Sequence, residues 1–255
     1  MPILPKPFRL LGRNSIVTGG SRGIGAAIAL AFAREGASVA ICHDDDDDGA
    51  DALVEEIRSL GRSGVSERCD VADLTALSAF VAKSEAALGP ADILVNNAGV
   101  SGDTPFEAIL PENLDRMLSV HVKASFYAAQ LVYPDMRERR WGRIINIASQ
   151  LAYKGAPGLT HYCSAKAALI GFTRALAHEA APHNVLVNAI APGPVDTRLN
   201  ETLSDEYRAW KRSQLPLGRF GKPEEISPTA VLLASSDGDY YVGQTLSPNG
   251  GDVMF

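Results

Sequence analysis

Short apolar runs alternate along this chain with longer stretches in which apolar residues recur at helical spacing. The runs are nearly continuous in apolar residues, which is typical of strands that are buried on both faces of a sheet. They predict strands at Ser15–Thr18, Ser38–Cys42, Ile93–Val95, Arg143–Ile147, Val185–Ile190 and Gln244–Ser247. The longer stretches predict helices at about Ile24–Arg34, Ala50–Leu60, Asp73–Leu88, Pro111–Arg139, Tyr162–Ala181 and Pro223–Ala234.

This alternation with short joints predicts an α/β protein built on a doubly wound, Rossmann-like parallel sheet of about seven strands. No internal repeat or Pro/Ser-rich linker divides the sequence, so residues 1–255 are interpreted as a single domain. Right-handed crossovers would cover both faces of the sheet with helices. A ligand would then bind beyond the carboxyl ends of the strands.

Composition argues against several kinds of partner. The formal net charge of -6 disfavours nucleic acid. The sequence has no apolar run of about 18 residues, so no membrane span is expected. Cys42, Cys69 and Cys163 lie far apart, which indicates reduced thiols in a cytoplasmic protein rather than a disulfide framework or a metal site.

A glycine-rich segment, Thr18–Gly25, follows the first predicted strand. Gly19, Gly23 and Gly25 leave no Cβ where the chain must turn tightly and a pyrophosphate must approach the backbone. The helix that starts here would point unpaired N–H groups and the positive end of its dipole at that anion. A glycine-rich loop that binds nothing is the alternative, but the order of strand, glycines, helix and second strand favours a dinucleotide site.

Tyr162 and Lys166 are four residues apart, so a helix places the phenol and the ammonium on one face. A lysine at this distance favours the phenolate of a tyrosine whose ordinary pKa is about 10, and the positive ring of an oxidised nicotinamide would add to this effect. Such a pair is common by chance. Ser149 changes the interpretation because it follows the predicted strand Arg143–Ile147, at the sheet edge where ligands bind.

With these motifs in view, the whole chain resembles the short-chain dehydrogenase/reductase family, close to its 3-oxoacyl-carrier-protein reductases and its sugar or polyol dehydrogenases. The resemblance is specific because several separate motifs occur in the family's order and spacing. The matching residues are Thr18–Gly25, Asp70, Val71, Asn96–Gly99, Ser149, Tyr162, Lys166, Asn188, Pro192, Gly193 and Asn249–Gly251.

The resemblance implies an enzyme that transfers a hydride between a nicotinamide cofactor and a carbonyl or alcohol carbon. It implies that Ser149 hydrogen-bonds the substrate oxygen, that Tyr162 gives or takes its proton, and that Lys166 holds the nicotinamide ribose and lowers the pKa of the tyrosine. Asp70 would accept from the adenine amino group, and Thr197 would contact the carboxamide. The implied cofactor-binding set is Gly19, Ser21, Arg22, Gly23, Ile24, Gly25, His43, Asp44, Asp70, Val71, Asn97, Ala98, Gly99, Tyr162, Lys166, Pro192, Gly193, Val195 and Thr197.

Some of these residues also have a purely structural interpretation. Ser149 could cap the end of its strand, and Asp70 could close a turn before the helix that starts at Asp73. Asn96 and Asn188 are interpreted as residues that hold strands and loops together rather than as ligand contacts.

The chain departs from the family pattern at two places. Where the family often has an asparagine in its fourth helix, as part of a proton relay from the lysine, alignment puts His121. An imidazole can also pass a proton, so His121 is a candidate catalytic residue, and a histidine satisfied within the core is an equal alternative. Near the C-terminus, Pro248-Asn249 replaces a more usual apolar residue and aspartate, which could alter a loop at a subunit contact.

The choice between NAD and NADP depends on charges that point in opposite directions. Arg22 resembles residues that hold a 2′-phosphate. The run Asp44–Asp48 would repel a phosphate, and Asp44 could accept from the ribose 2′-hydroxyl, although His43 occupies the position that best marks NAD enzymes. Asp46–Asp48 are interpreted as a solvated loop. On balance NAD(H) is expected to be favoured over NADP(H).

Residues 194–216 resemble the family's substrate lid, with an apolar stripe at Leu199, Leu203, Tyr207 and Trp210 that could cover a substrate or pack on the body. Near the reacting centre in sequence lie Gln150, Ala152, Tyr153 and His161, a mixture that suits a hydroxylated substrate as well as an acyl chain. The resemblance also implies a homotetramer or homodimer through the two long helices. Ala124, Ala128, Ala167, Ala168 and Phe172 could form that seam or face the sheet.

The sequence thus predicts a carbonyl reductase or alcohol dehydrogenase that acts on a small molecule. A 3-oxoacyl thioester and a sugar or polyol are nearly equal candidates for the substrate. The alternative is a catalytically silent nucleotide sensor on the same fold, a class that usually loses the tyrosine or the lysine.

Overall fold

The computed structural model describes residues 8–197 and 204–254. Its strands are β1 (Asn14–Thr18), β2 (Ser38–His43), β3 (Gly64–Arg68), β4 (Ile93–Asn96), β5 (Gly142–Ile147), β6 (Val185–Ile190) and β7 (Thr245–Leu246). The α-helices are α1 (Gly23–Arg34), α2 (Asp47–Ser59), α3 (Leu74–Leu88), α4 (Pro111–Leu118), α5 (Ala124–Arg139), α6 (Leu151–Lys154), α7 (Thr160–Ala180), α8 (Asp205–Gln214) and α9 (Pro223–Ala234).

The strands form one parallel sheet in the order β3-β2-β1-β4-β5-β6-β7. The direction of winding reverses between the neighbours β1 and β4, which pair with Ile16 opposite Leu94. At such a switch point the loops after the two strands diverge to opposite faces and leave a crevice. The predicted doubly wound, Rossmann-like sheet is therefore confirmed.

Two apolar cores cover the two faces of this sheet, because successive residues of a strand point to opposite sides. Val17 of β1 packs with Phe32 of α1 on one face, and Ile16 packs with Phe80 of α3 on the other. Both phenylalanines are buried, and each such side chain contributes roughly 1.5–3 kcal/mol by leaving water. The helices thus fix the sheet on which the predicted site residues stand.

Strand β3 was not among the predicted strands. Its residues after Gly64 are only half-buried or exposed, and it ends in the polar sequence Ser66-Glu67-Arg68. An edge strand pairs on one side only, so it does not need the continuous apolar run by which the other strands were found. Backbone pairing with β2, for example Ile41 opposite Ser66, holds it in the sheet.

Two helical predictions need correction. The predicted helix Pro111–Arg139 is interrupted by a π-helical segment, Ser119–Lys123, which contains His121. The second helix begins at Asp47 rather than at Ala50, so Asp47 and Asp48 form its first turn instead of a solvated loop. Carboxylates stabilise that end of a helix because they face the positive end of its dipole.

The length and composition of the helices bear on whether they could cross a membrane. Among the residues that the structure describes, no helix has both the length and the apolar composition needed to cross a bilayer.

Candidate active site

The predicted site residues gather at the carboxyl edge of the central strands. Gly19 follows β1, Asn97 follows β4, Ser149 lies just beyond β5, and Pro192 lies just beyond β6. Because these strands are parallel and adjacent, their carboxyl ends meet along one edge of the sheet. The structure therefore brings together residues that are separated by more than 170 positions in the sequence.

The glycine-rich turn is closed tightly against its own helix. A Cβ built on Gly25 would lie 2.2 Å from the carbonyl oxygen of Gly19, and Gly19 has a φ of +62°. The side-chain amide of Asn97 donates to the carbonyl oxygens of Thr18 at 2.9 Å and Gly19 at 2.8 Å. In return, the Thr18 hydroxyl accepts from the backbone N–H groups of Asn97 at 3.0 Å and Ala98 at 3.1 Å.

The first turn of α1 is open to an anion. Arg22 precedes Gly23 at the start of the helix, and no side chain of the described residues caps its backbone N–H groups. Free N–H groups at a helix N-terminus, with the positive end of the dipole behind them, are what a pyrophosphate requires. Thr197 lies beside this turn, since a Cβ on Gly23 would lie 3.4 Å from its methyl carbon. These residues fit a dinucleotide.

Charged groups cluster where β2 ends, beside the expected adenosine ribose. The guanidinium of Arg22 forms an ion pair with Asp45 at 2.8 Å and approaches Asp46 at 3.7 Å. His43 is buried, and its Nδ1 accepts from the backbone N–H of Asp46. Arg68 of β3 donates to the carbonyl oxygen of Asp44 at 2.8 Å. The acidic run is thus neutralised in part by two arginines, of which Arg68 was not predicted.

Asp70 makes the turn contact of its structural interpretation, and its contact with the adenine amino group stays a prediction. One carboxylate oxygen accepts from the backbone N–H of Ala72 at 3.0 Å, which closes the turn before α3. The other accepts from the guanidinium of Arg116 at 2.7 Å, a contact that the sequence did not indicate. Burial opposes ionisation of Asp70, but these hydrogen bonds hold its pKa below the ordinary value. Val71, next in the chain, is buried.

Ser149, Tyr162 and Lys166 form a connected group. The Ser149 hydroxyl accepts from the backbone N–H of Leu151 at 3.1 Å, and Ser149 lies near enough to the Tyr162 phenol to lower its pKa. The Lys166 ammonium lies 5.7 Å from the centroid of the Tyr162 ring and donates to the carbonyl oxygen of Ile147 at 2.6 Å. Helix α7 supplies the phenol and the ammonium, β5 supplies the carbonyl that anchors the lysine, and the loop after β5 supplies the serine.

Burial controls the charges in this group. It raises the pKa of Tyr162 to about 12, although the hydrogen bond from Ser149 acts in the opposite direction. It also lowers the pKa of Lys166 to about 7. Removal of both groups from water favours their neutral forms. The lowering of the tyrosine pKa by Lys166 together with a bound nicotinamide stays a prediction. At neutral pH Tyr162 carries its proton.

His121 lies against the same group, with an exposed fraction of 1%. Its ring is edge-on to Tyr162, and its Nε2 lies 2.8 Å from the carbonyl oxygen of Val100. Its buried Nδ1 has no hydrogen-bond partner among the described residues. Burial, helped by the nearby charge of Lys166, lowers the pKa of His121 to about 3, so the imidazole is neutral. It sits close to Gly99, where a Cβ would lie 2.6 Å from its Cε1.

Three residues that were predicted to bind the cofactor lie in the loop after β6 and contact the backbone of other segments. The carbonyl oxygen of Pro192 accepts from the backbone N–H of Gln150, and Gly193 lies so close to Asn249 that a Cβ would meet its Cα at 2.6 Å. Val195 is buried and forms a β-bridge with Gly221. These contacts position the loop after β6 beside the serine.

The asparagines that were interpreted as structural are structural. Asn96 donates to the side chain of Asn146 at 2.8 Å, and Asn146 donates to the Thr173 hydroxyl at 2.9 Å. Asn188 donates to the carbonyl oxygen of Tyr241 and accepts from the backbone N–H of Gln244. The first set ties α7 to the sheet across β4 and β5.

Only part of the predicted lid, residues 194–216, can be described. Leu199 and Leu203 lie outside the described residues. Helix α8 begins after Ser204, whose hydroxyl accepts from the backbone N–H of Tyr207 at 3.1 Å. Tyr207 and Trp210 are exposed, and their ring centroids lie 5.4 Å apart. The aromatic part of the stripe therefore packs on itself rather than on the body.

A charged cluster beside Ser149 was missed at the sequence level. The carboxylate of Asp252 accepts from Lys154 of α6 and from Lys211 of α8. Nothing in the local pattern signals it, because its members are separated by 41 or more residues.

Fold and site together define an NAD(P)-dependent oxidoreductase of the Rossmann type, with a serine, a tyrosine and a lysine beside a dinucleotide crevice. The sequence model of the family described as enoyl-(acyl carrier protein) reductase matches residues 19–252. A 3-oxoacyl-(acyl-carrier-protein) reductase from Thermotoga maritima is 38% identical over 247 residues, which cover 97% of this chain and 100% of that protein. The chain belongs to the short-chain dehydrogenase/reductase family.

Solved structures agree with this assignment. A blue fluorescent protein from a metagenomic library, in complex with NADPH, superimposes with a TM-score of 0.92 at 35% identity and covers 96% of this chain and 100% of its own. A putative NAD(P)-dependent gluconate 5-dehydrogenase from Beutenbergia cavernae with bound NADP has a TM-score of 0.90 at 38% identity, with 96% and 98% covered.

Proposed function

We propose that Ser149, Tyr162 and Lys166 catalyse the reduction of a carbonyl to a secondary alcohol with NADPH. The observation that carries this proposal is that Ser149 and Tyr162 lie together at the carboxyl edge of the sheet, beside the buried ammonium of Lys166, which is 5.7 Å from the centroid of the Tyr162 ring. A carbonyl oxygen that entered this group would meet two hydroxyl donors. Positioned donors stabilise the negative charge that develops on such an oxygen.

The nicotinamide supplies the hydride when it is bound. The protein's own part is to hold the carbonyl oxygen and to provide a proton at once. Tyr162 is protonated at neutral pH, since its pKa is about 12, and so it is ready to donate to the developing alkoxide. Ser149 orients that oxygen. This protonation state favours reduction over oxidation of the substrate near neutral pH.

Lys166 restores the proton of Tyr162 in this scheme. Its pKa of about 7 lets it release a proton at neutral pH, and its contact with Ile147 fixes its position. The neutral His121, with its free Nδ1, is an acceptor beside this pair, and we propose that it orients Tyr162 and Lys166 and relays a proton through that nitrogen. The alternative is that His121 has only a structural role, and a variant of this residue is needed to distinguish the two.

The cofactor proposed here differs from the NAD(H) preference expected from the acidic run. Two solved relatives hold NADPH or NADP, which favours NADP(H). Arg22 is suited to a 2′-phosphate, and its partner Asp45 is exposed, so their ion pair is worth only about 0–1 kcal/mol and can be exchanged for a phosphate. The residues proposed to contact the rest of the cofactor are Gly19, Ser21, Gly23, Ile24, Gly25, Val71, Asn97, Ala98, Gly99, Pro192, Gly193, Val195 and Thr197.

The substrate is proposed to be a 3-oxoacyl thioester or a hydroxylated carbonyl compound. Relatives point to both, since one is a 3-oxoacyl-(acyl-carrier-protein) reductase and another is a putative gluconate 5-dehydrogenase. A silent nucleotide sensor is disfavoured because serine, tyrosine and lysine are all present and in contact.

We infer that the working form is a homotetramer or homodimer formed through α5 and α7. Phe126 and Tyr127 of α5 are exposed, and the Phe126 ring lies 5.1 Å from Phe172 of α7. Exposed aromatic side chains on adjacent helices are typical of a subunit contact. Ala124 and Ala128 do not belong to this seam, because both are buried in the core.

The decisive experiment is a substrate and cofactor screen with purified protein. Reduction of 3-oxoacyl thioesters or hydroxylated ketones with NADPH, and its loss in Ser149→Ala, would support the proposal. Cofactor binding without turnover of any carbonyl or alcohol would contradict it and favour the sensor.

A further inference from the structure

A buried cluster of charges lies where the C-terminal segment meets α6 and α8. The carboxylate of Asp252 accepts from the ammonium of Lys154 at 2.9 Å and from that of Lys211 at 2.7 and 2.8 Å. The side-chain amide of Gln150 donates to the same carboxylate. Two other parts of the chain, the segment Gln150–Lys154 and helix α8, thus converge on this C-terminal aspartate.

The cluster is positively charged. Two ammonium groups share a single carboxylate, so these residues carry one excess positive charge. The exposed side-chain fraction is 5% for Asp252, 12% for Lys211 and 34% for Lys154, so Asp252 and Lys211 are largely removed from water and Lys154 is in part exposed. Burial, and the like charge of Lys154, hold the pKa of Lys211 below its ordinary value despite Asp252. An anion would relieve this repulsion.

The cluster adjoins the reacting centre. Gln150 is the residue after Ser149, and α6, which carries Lys154, starts at Leu151, whose N–H donates to the Ser149 hydroxyl. Lys211 comes from α8, the helix of the predicted lid.

The alternative is a latch, meaning an ion pair that only holds the C-terminal segment against α8. Such a latch does not account for the presence of two lysines on one aspartate. One lysine on Asp252 would make a neutral pair, whereas the second adds a like charge beside Asp252 and Lys211, which are both largely shielded from water. Lysines also retain donors, since each ammonium has three and Lys154 uses one on Asp252.

We propose that Lys154 and Lys211 form a subsite for an anionic group of the substrate, a carboxylate on the same molecule as the reacting carbonyl. Asp252 and Gln150 hold the two ammonium groups in place. This inference rests on the proposed carbonyl reduction and narrows it to oxo acids, including oxidised sugar acids. It predicts a preference that a neutral substrate of the same shape would not share.

The test uses matched pairs of substrates with the full-length enzyme. Acetoacetate, levulinate and 5-oxohexanoate, which place the carboxylate at increasing distance from the ketone, are each compared with the methyl ester. We expect kcat/KM for at least one acid to exceed that of its ester by tenfold or more. Lys154→Met and Lys211→Met should each reduce that ratio about tenfold, mainly through KM, whereas Lys154→Arg and Lys211→Arg should retain it.

Lys83→Met is the matched control, because it removes one charge from an exposed ion pair between Lys83 of α3 and Glu67 of β3. Equal losses for acid and ester in the methionine variants would overturn the subsite and indicate a latch. Calorimetric titration with the three acids separates the two proposals. Carboxylate binding that depends on both lysines, without any turnover, would contradict the proposed reduction but support the subsite. No binding and no preference would reject the subsite alone.

Discussion

The imidazole of His121 stands edge-on to the phenol of Tyr162, with the ring centroids 5.5 Å apart and the ring planes at 88°. The histidine lies in a π-helical segment, and such segments occur often at functional sites. The ring that it contacts belongs to Tyr162, the proposed proton donor. A substitution of His121 is therefore expected to change the environment of the Tyr162 phenol, and a substitution of Tyr162 that of the imidazole.

Removal of the phenol oxygen is the most direct test of the proposed chemistry. Tyr162→Phe should lower kcat by about 10²–10⁴-fold, because the proton donor is lost while the ring and its packing remain. Binding of NADPH, measured by fluorescence titration, should change less than threefold. Tyr153→Phe, on nearby α6, is the matched control, and normal turnover by Tyr162→Phe would reject the assigned role.

Acid should destabilise the protein through His121. Its pKa is about 3 in the folded protein, against about 6.5 in the unfolded chain, so below pH 6.5 only the unfolded chain binds this proton. Stability is therefore lost as the pH falls from about 6.5 towards 3, on the order of 2 kcal/mol by pH 5. Denaturant unfolding at several pH values should show a shallower acid loss for His121→Asn than for the wild type.

The exposed histidine at the end of α7 provides the control, since His178→Asn removes an imidazole from the surface. An equal pH slope in His121→Asn and the wild type would show that the buried imidazole is not responsible. A separate outcome bears on catalysis. Asparagine is itself the relay residue of the resembled family, so catalysis is tested with His121→Leu. If His121→Leu keeps the pH–rate profile of the wild type, the relay role fails, whereas a changed profile without a change in KM supports it.

Cofactor preference should respond to the partners of Arg22. Asp45→Asn frees the guanidinium for a 2′-phosphate and removes a repulsive charge, so the ratio of kcat/KM for NADPH over NADH should rise about three- to tenfold. Arg22→Ala should shift the ratio at least tenfold towards NADH. Asp48→Asn, in the same acidic run but within α2, is the control. An unchanged ratio in Arg22→Ala would contradict NADP(H) recognition by this residue.

The closed form of the glycine-rich turn can be tested at one atom. Gly25→Ala places a methyl group 2.2 Å from the Gly19 carbonyl oxygen and 2.4 Å from the Asn97 amide nitrogen, so the turn must open. We expect NADPH affinity to fall at least tenfold and the melting temperature to fall as well. Gly102→Ala, where a Cβ would meet nothing within 4 Å, should change neither. Unaltered affinity in Gly25→Ala would separate the turn from cofactor binding.

Most of the fold follows from the sequence because the central strands are buried on both faces. Burial on both sides demands the apolar runs at β1, β4, β5 and β6, and parallel connection then brings Ser149 and Tyr162 to one edge. Strand β3 was not predicted because a strand at the edge of the sheet does not need a continuous apolar run. The π-helical segment around His121 escaped because its hydrophobic spacing is close to that of the α-helices beside it.

The charged contacts of the site were the least predictable part. Arg116 pairs with Asp70 across 46 positions, and Lys154 with Asp252 across 98. No local period relates such residues, and a single sequence gives no sign of which arginine or lysine will reach a given carboxylate. The pKa of Tyr162 also depends on burial, which only the folded chain defines and which raises it.

Helix α7 is bound to the sheet through Asn96, Asn146 and Thr173, whose side chains are all buried. Directional hydrogen bonds of this kind fix the position of the helix along its axis, whereas apolar contacts alone would let the helix slide. Interior methyl groups could be exchanged widely over evolutionary time without moving the phenol away from the serine. A shift of helix α7 along its axis would have to break the hydrogen bonds of these three side chains together.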